Sequence, residues 1–443
     1  MKNEALFRTG SVWRAIFTMA VPSVVIIFVM FLYNIADMFF IGCLGDTAQV
    51  AAVSVVGPVF SILAAAATML GAGGCTIIAR CFGAGEVEKG RVYSSLCCWA
   101  GTLLGVLVCA ALLLCGTPLL QMLGSTPETT AYALQYLRVL AVGSPFLILA
   151  NTAAMLLRAE GAVKDGLIGN LLGTVINLLL DPLFILAFRW GVTGAAAASV
   201  LGNVVATGFY MLYIIRKGTV LTVDPRFALQ KPAALGEILV IGLPNGIGSL
   251  LSGFASTFSN RLLSAYGTGA IAAMAAAGKT TMLIGMITMA ICMGCQPLLA
   301  YSYGAGDKRR LRELLKNIGL LTMGIGVAAG VACLLGRKAL IGMFIKEAAV
   351  AVLGEKLVVW LVLGSPVIGL TYLATNLLQS VNKAMSAVVL SLLRQGLLLL
   401  PLLYGLNFFF GVTGIAAAYF AADTGAALIA IVMMACVWKK ELA

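Results

Sequence analysis

The chain of 443 residues contains no histidine. That absence removes Ser-His-Asp and Cys-His nucleophile pairs, HExxH zinc sites and histidine proton relays. Charge is scarce too: Asp, Glu, Lys and Arg make up 10% of the residues, where soluble domains carry about a quarter. Only 17 residues are acidic, so few carboxylates are on offer for chemistry of any kind. What fills the chain instead is apolar, with 61% hydrophobic residues. A membrane span takes ~20 such residues, so there is material for about a dozen spans with short connections. A soluble enzyme, a disordered chain and a single-anchor protein are all excluded.

Eleven cysteines is an odd number, and nearly all sit in apolar runs, as Cys97, Cys98, Cys109, Cys115, Cys333 and Cys436 do. Buried cysteine behaves as a small apolar residue, so packing is the reading. Cys292 and Cys295 form a lone CxxC inside a hydrophobic helix, without a second pair or a soluble βαβ context. The first apolar run begins near Val12, is too long for a signal-peptide core and has no A-x-A cleavage site. It is read as a retained first span.

Apolar runs place twelve spans at 14–42, 52–76, 94–116, 133–157, 166–188, 193–215, 235–262, 270–299, 317–336, 357–380, 385–408 and 412–437. Prolines within them (Pro22, Pro58, Pro244, Pro297) are tolerated in membrane bundles. The longest polar connection runs from Lys217 to Lys231. The expected organisation is therefore an N-lobe over 1–216, a cytoplasmic linker over 217–234 and a C-lobe over 235–443. With the N-terminus inside, 20 of the 29 Lys and Arg fall in the termini and cytoplasmic loops, five in outer loops and four within spans. This positive-inside bias puts both termini in the cytoplasm of a multi-pass plasma (inner) membrane protein. The net charge of +12 thus reports topology, and no nucleic-acid partner is implied.

The halves repeat. Ala20-Val21-Pro22 matches Gly242-Leu243-Pro244, Leu44-Gly45 matches Tyr266-Gly267, and Phe82-Gly83-Ala84-Gly85 matches Tyr303-Gly304-Ala305-Gly306. Gly143-Ser144-Pro145 returns as Gly364-Ser365-Pro366, and Gly191-Val192-Thr193-Gly194 as Gly411-Val412-Thr413-Gly414. Six spans separate each match, so the repeats share one orientation. The expected fold is all-α: twelve transmembrane helices in two six-helix lobes related by a pseudo-twofold along the membrane normal, a transporter plan.

Charged groups inside spans are the informative residues, because an Asp at a helix centre costs ~2.5–3.5 kcal/mol on insertion scales and needs a partner or a wet cavity. Asp37, Asp181 and Asp423 qualify. Asn177 and Asp181 are four residues apart and share a helix face. Counted in helical turns, Asp37, Asp181 and Ser199 all fall in the outer half of the N-lobe. Near-ungapped alignment of the repeats places Ser259, Leu397, Pro401 and Tyr419 opposite this set, so the cluster belongs to one lobe only. Two carboxylates in low dielectric resist being ionised together; such a pair takes a proton, or a sodium ion with oxygen ligands from Asn177 and Ser199. A structural hydrogen-bonded cluster is the competing reading. Lys279 and Asp423, near mid-depth in spans eight and twelve, are expected to pair. Met282, Met286, Met289 and Met293 form a helical stripe that suits either packing or a promiscuous apolar cavity.

Several stretches together resemble the multidrug and toxic compound extrusion (MATE) family. They are 33–42 (Tyr33, Asn34, Asp37 and Gly42 among them), Phe82-Gly83-Ala84-Gly85, Asn177 to Pro182, Gly294-Cys295-Gln296-Pro297, Tyr303-Gly304-Ala305-Gly306 and Arg394-Gln395 before Pro401. The resemblance covers essentially the whole chain. It implies cation-coupled antiport by alternating access, exporting amphipathic, often cationic, small molecules. The family's N-lobe cation site uses Asp, Asn, Asp and a hydroxyl, which fall here on Asp37, Asn177, Asp181 and Ser199. The acid that one branch places in the seventh span falls on Ser252, and its tenth-span acid is missing, so coupling through a C-lobe carboxylate is not implied.

The functional expectation is thus a proton- or sodium-coupled antiporter. Tyr33, Asn34, Met282, Met286, Met289, Gln296 and Arg394 are the candidate substrate-cavity residues, and Pro22 is the point where the first helix bends. No catalytic residue, cofactor or resident metal is expected beyond sodium passing through the coupling site. The partners are the bilayer and small amphipathic substrates, with the chain a monomer. A lipid-linked precursor flippase would carry more cavity Arg and Lys, an intramembrane aspartyl enzyme would have to use Asp37 and Asp181, and a passive channel would ignore an opposing ion gradient.

Overall fold

The computed structural model describes residues 4–8, 10–42 and 46–439. The Leu44-Gly45 repeat match and the far C-terminus lie outside them, as does the Asn34 side chain. Among the described residues there is no strand. The long apolar runs form helices because no other spanning structure for an open chain satisfies its own backbone in lipid.

Among the described residues, nine long helices are unbroken or nearly so: α1 Val12–Gly42, α2 Thr47–Gly83, α3 Val87–Met122, α4 Pro127–Ala159, α5 Val163–Ala187, α6 Gly191–Lys217, α7 Ala234–Ser264, α8 Thr268–Gly304 and α9 Lys308–Gly342. A tenth, α10, is a bent pair, Ala348–Leu363 and Ser365–Ser380, meeting at 42°. The helical stretch Ala384–Val437 is 54 residues long. At ~1.5 Å per residue it would be more than twice the ~30 Å of a hydrocarbon core. It breaks at Gly411, whose φ of 59° and ψ of −139° are not helical, giving α11 (384–410) and α12 (412–437). The twelve expected spans are all present. Large side chains such as Leu114 (83% exposed) and Phe408 (80%) line their outer faces, as lipid-facing residues do.

Contacts divide the chain into two compact units. One comprises Val25–Gly242 together with Glu4 and Ala5; the other joins Leu6–Val24 to the chain from Leu243 onward. Two helices, α1 and α7, therefore cross from one unit into the other, each within two residues of its proline, Pro22 and Pro244. Both units seat the exchanged helix end against a glycine: a Cβ at Gly73 of α2 would strike Ile238 O, and one at Gly294 of α8 would lie 2.9 Å from Met19 O.

In the first unit α4 packs on α2, α3 and α6, with α5 against α6. The stretch 217–234 belongs to this unit. Ser94 and Ser95 donate to Thr222 O (3.1 Å) and Asp224 O (2.7 Å), Trp99 donates to Val223 O (3.0 Å), and Asp224 caps the short helix Pro225–Gln230. The buried Glu160 carboxylate accepts the backbone N–H groups of Thr219, Val220 and Leu221. In the second unit α8 packs on α9 and on both arms of α10. Arg310, in the basic run at the start of α9, donates to Gly10 O and Leu6 O at 2.8 and 3.0 Å.

The sequence repeat is also a backbone repeat. Left-handed residues recur at Gly85 and Gly306, at Gly161 and Asn382, and at Gly191 and Gly411, with φ from 56° to 78°.

Candidate functional site

Three helices of the first unit supply the polar cluster, each with a pair of residues four apart and therefore on one face. From α1 come Tyr33 and Asp37, from α5 Asn177 and Asp181, and from α6 Ser199 and Asn203. The approach of α5 to α6 is set by two glycines in mutual contact. A Cβ on Gly202 would lie 2.6 Å from Gly173 O, and one on Gly173 would lie 2.8 Å from Gly202 O. Gly173 is one turn before Asn177, and Gly202 one turn after Ser199. Removing both side chains lets the backbones touch, as small residues do in membrane helix pairs. It brings Asn177 Nδ2 within 3.2 Å of Ser199 Oγ.

The Ser199 hydroxyl joins three helices. It accepts from Asn177 and shares a 2.9 Å hydrogen bond with Tyr33 Oη, while Asn203 Nδ2 donates to Ser199 O at 2.9 Å. With its amino group turned to Ser199, Asn177 leaves its carbonyl oxygen over. Asn177 Oδ1, Asp37 Oδ1 and both Asp181 carboxylate oxygens are buried and meet no hydrogen-bond donor among the described residues. Asp181 is 0% exposed. The Asp37 and Asp181 charges act on one another, and both reach the phenols of Tyr33 and the buried Tyr136 of α4. Directly beyond Asp181, Pro182 interrupts the hydrogen-bond ladder and Leu183–Ala187 widens into a π-helix. Such local widenings recur at functional sites.

A buried group of acceptor oxygens without donors is electron-rich and needs a positive partner. The set is suited to a proton or a hard cation, since carboxylate and carbonyl oxygens are hard ligands. Asp37, Asn177, Asp181 and Ser199 thus fall in one cluster. Tyr33, counted among the cavity residues on sequence grounds, is a member of it through Ser199. Tyr136 was missed; its only sequence signal is a polar tip within an apolar run.

The remaining candidates scatter. The expected Lys279–Asp423 pair is not formed: Asp423 is paired with Arg394, Nε to Oδ1 at 2.8 Å. Lys279 instead sits over the Phe344 ring at 5.9 Å, snorkelling its ammonium away from the core. Arg394 and Met282 line a cavity of about 270 Å³ in the second unit. Met286 and Met289 are half-buried and do not line it. Gln296 is buried and donates to Gln379 Oε1 at 2.8 Å, an amide pair within the helix packing. Cys292 and Cys295 are buried free thiols. Pro22 is buried inside the continuous α1 and belongs to the second unit, whereas Asp37 of the same helix belongs to the first.

The MatE family model matches residues 22–183 and 244–404, once in each half. The multidrug export protein MepA of Staphylococcus saprophyticus subsp. saprophyticus is 30% identical over 436 residues, 98% of this chain and 96% of that protein. MepA of Staphylococcus aureus strain N315 is 30% identical over 440 residues, with the same coverage. Among solved structures, an outward-facing multidrug resistance MATE family transporter of the MOP superfamily superposes with a TM-score of 0.92, at 23% identity and 99% coverage of both chains. A variant of the Vibrio cholerae MATE transporter VcmN gives 0.91 at 21% identity, over 96% of this chain and 97% of that one. Two family matches related by the internal repeat, whole-length relatives and the shared fold place this chain in the MatE family of membrane transporters, proteins that move solutes rather than transform them.

Proposed function

We propose that the chain is a cation-coupled antiporter that exports amphipathic, predominantly cationic small molecules across the cell membrane by alternating access, as a monomer with both termini cytoplasmic. Export of drugs is what the names of its staphylococcal relatives state of those proteins. The observation that carries the coupling assignment is the set of four donor-free oxygens on Asp37, Asn177 and Asp181, gathered on two helices of one unit.

In this reading Asp37 and Asp181 carry the exchanged charge, and one proton or one sodium ion relieves their repulsion. Asn177 Oδ1 is the neutral ligand. Ser199 holds the Asn177 amide by its amino end and anchors Tyr33 of α1, so a shift in occupancy at the carboxylates is felt by α1 and α6 together. Pro22, lacking a backbone N–H, weakens the α1 ladder three turns away and allows that helix to bend. One charge crossing 100 mV releases ~2.3 kcal/mol, enough for about a fiftyfold shift between two states. The shift cannot exceed the cation's differential affinity for them.

The test is efflux of a fluorescent cationic dye from proteoliposomes under an imposed pH or sodium gradient, with wild type, Asp37→Asn and Asp181→Asn. Gradient-driven efflux is expected to fall at least about tenfold in both variants, the cost of losing one charged ligand. Full gradient-driven efflux in both would overturn the assignment.

A further inference from the structure

The second unit holds its own polar cavity, built on different chemistry from the cluster in the first. Its volume is about 270 Å³, and its lining includes Ser252, Met282, Tyr372, Arg394, Tyr419 and Asp423. That is just under the ~300 Å³ at which small-molecule sites begin, so it fits the end of a larger compound.

Arg394 and Asp423 set its electrostatics. They are only 13% and 20% exposed, yet both belong to the cavity wall. Their bond uses Arg394 Nε alone, at 2.8 Å to Asp423 Oδ1, so the two terminal amino groups of the guanidinium fork are not committed to the carboxylate. Asp423 Oδ2 takes no part in that bond, and a Cβ placed on Gly364 would be 3.4 Å from it. The Tyr372 ring lies 5.0 Å from the guanidinium carbon and supports it from one face. Arg394 sits on the π-helical segment Leu393–Leu398, its side chain largely but not fully buried.

The pair is neutral overall. A ligand of net charge would leave one unit of charge uncompensated in low dielectric, which is costly. A ligand carrying both charges adds none. Its carboxylate matches the terminal amino groups of the fork, displacing the Tyr372 hydroxyl that also bonds the guanidinium, and its ammonium matches Asp423 Oδ2. Met282 and the tyrosine rings offer apolar surface to its body. We propose that this cavity is a subsite for the zwitterionic end of an amphipathic compound, which exchanges the internal Arg394–Asp423 ion pair for two intermolecular ones. The proposal rests on the chain being an exporter of small molecules but not on how export is coupled.

The experiment is fluorescence titration of the purified full-length protein with three matched probes. Nε-dansyl-lysine presents a zwitterionic head, its methyl ester a cationic head, and its α-N-acetyl derivative an anionic head. Wild type should bind the zwitterion at least about tenfold more tightly than either relative, because each charge-assisted contact contributes on that scale. Asp423→Asn should bring the zwitterion down to the level of the acetyl derivative, and Arg394→Gln down to that of the ester. Should either single variant fail to fold, the double variant Arg394→Gln/Asp423→Asn leaves no unpaired charge and should bind all three probes alike. Equal binding of the probes by wild type, or a zwitterion preference kept by the double variant, would refute the subsite. Because binding needs no ion gradient, either result stands apart from the Asp37 and Asp181 efflux test.

Discussion

Replacing Gly202 by alanine should part α5 from α6 and unseat Asn177. The added methyl would lie 2.6 Å from Gly173 O and 3.2 Å from Asn177 Cβ. Reaching an ordinary contact requires the backbones to separate by about 0.8 Å, and forcing extra carbon into a packed contact costs ~1–3 kcal/mol. The Asn177–Ser199 hydrogen bond starts at 3.2 Å. The same displacement carries it past the distance at which an N–H···O contact counts as a bond. Gly208, two turns along α6, supplies the control, since nothing lies within 4 Å of a Cβ there. Alanine gains up to ~1 kcal/mol of helix propensity at either position. That gain is common to both variants, so the difference between them isolates the clash. Thermal unfolding of the two purified variants should place Gly202→Ala below Gly208→Ala by the equivalent of ~1–3 kcal/mol. Per folded molecule, gradient-driven dye efflux should drop in Gly202→Ala alone. Indistinguishable unfolding midpoints would show that the glycine contact does not hold the two helices at their present spacing.

Three further outcomes are expected. Asp423→Asn leaves a buried guanidinium without its partner and should destabilise the protein by ~3–5 kcal/mol, most of it recovered in the Arg394→Gln/Asp423→Asn double variant; a double variant as unstable as the single would contradict the pairing. Glu160→Gln removes the negative charge that collects three backbone amides, so hydrogen exchange at Thr219, Val220 and Leu221 should quicken by about tenfold. Unaltered protection there would mean the carboxylate does not order the segment. Gly411→Ala forces a side chain onto a positive φ and should cost ~1–3 kcal/mol, whereas Gly405→Ala, helical and open around its Cβ, should stabilise by up to ~1 kcal/mol in the same unfolding measurement.

Much of the architecture was legible because lipid makes the rules strict. Uninterrupted apolar runs must be helices, and the twelve expected spans all appear, even where Ala384–Val437 runs on as one helical stretch until Gly411 breaks it. The cluster of Asp37, Asn177, Asp181 and Ser199 was readable because spacing fixes the face of a helix and counting turns fixes its depth. Pairing between distant helices was not readable in that way. Lys279 and Arg394 are both cations inside spans, and choosing between them as partner of Asp423 needs the rotation of three helices about their axes. Depth alone chose Lys279, and the structure pairs Arg394. The π-helical turns at Leu183–Ala187 and Leu393–Leu398 had no periodic signal, since each is a single local slip of the ladder. Gln296 looked like a cavity polar group for the same reason that Gln379 did not stand out: an amide inside a span announces a need for a partner without naming it.

The exchange of helix ends between the two units bears on how the protein can be made. A ribosome releasing residues 1–216 has not yet supplied Ala234–Gly242, which the first unit seats against Gly73. That unit must wait, incomplete, for the opening turns of α7. The second unit, conversely, borrows a segment synthesised long before the rest of it, Leu6–Val24. Splitting the gene within 217–234 would therefore yield two fragments, each lacking a piece carried by the other. They should mature only when produced in the same cell, and neither should survive its quality control alone.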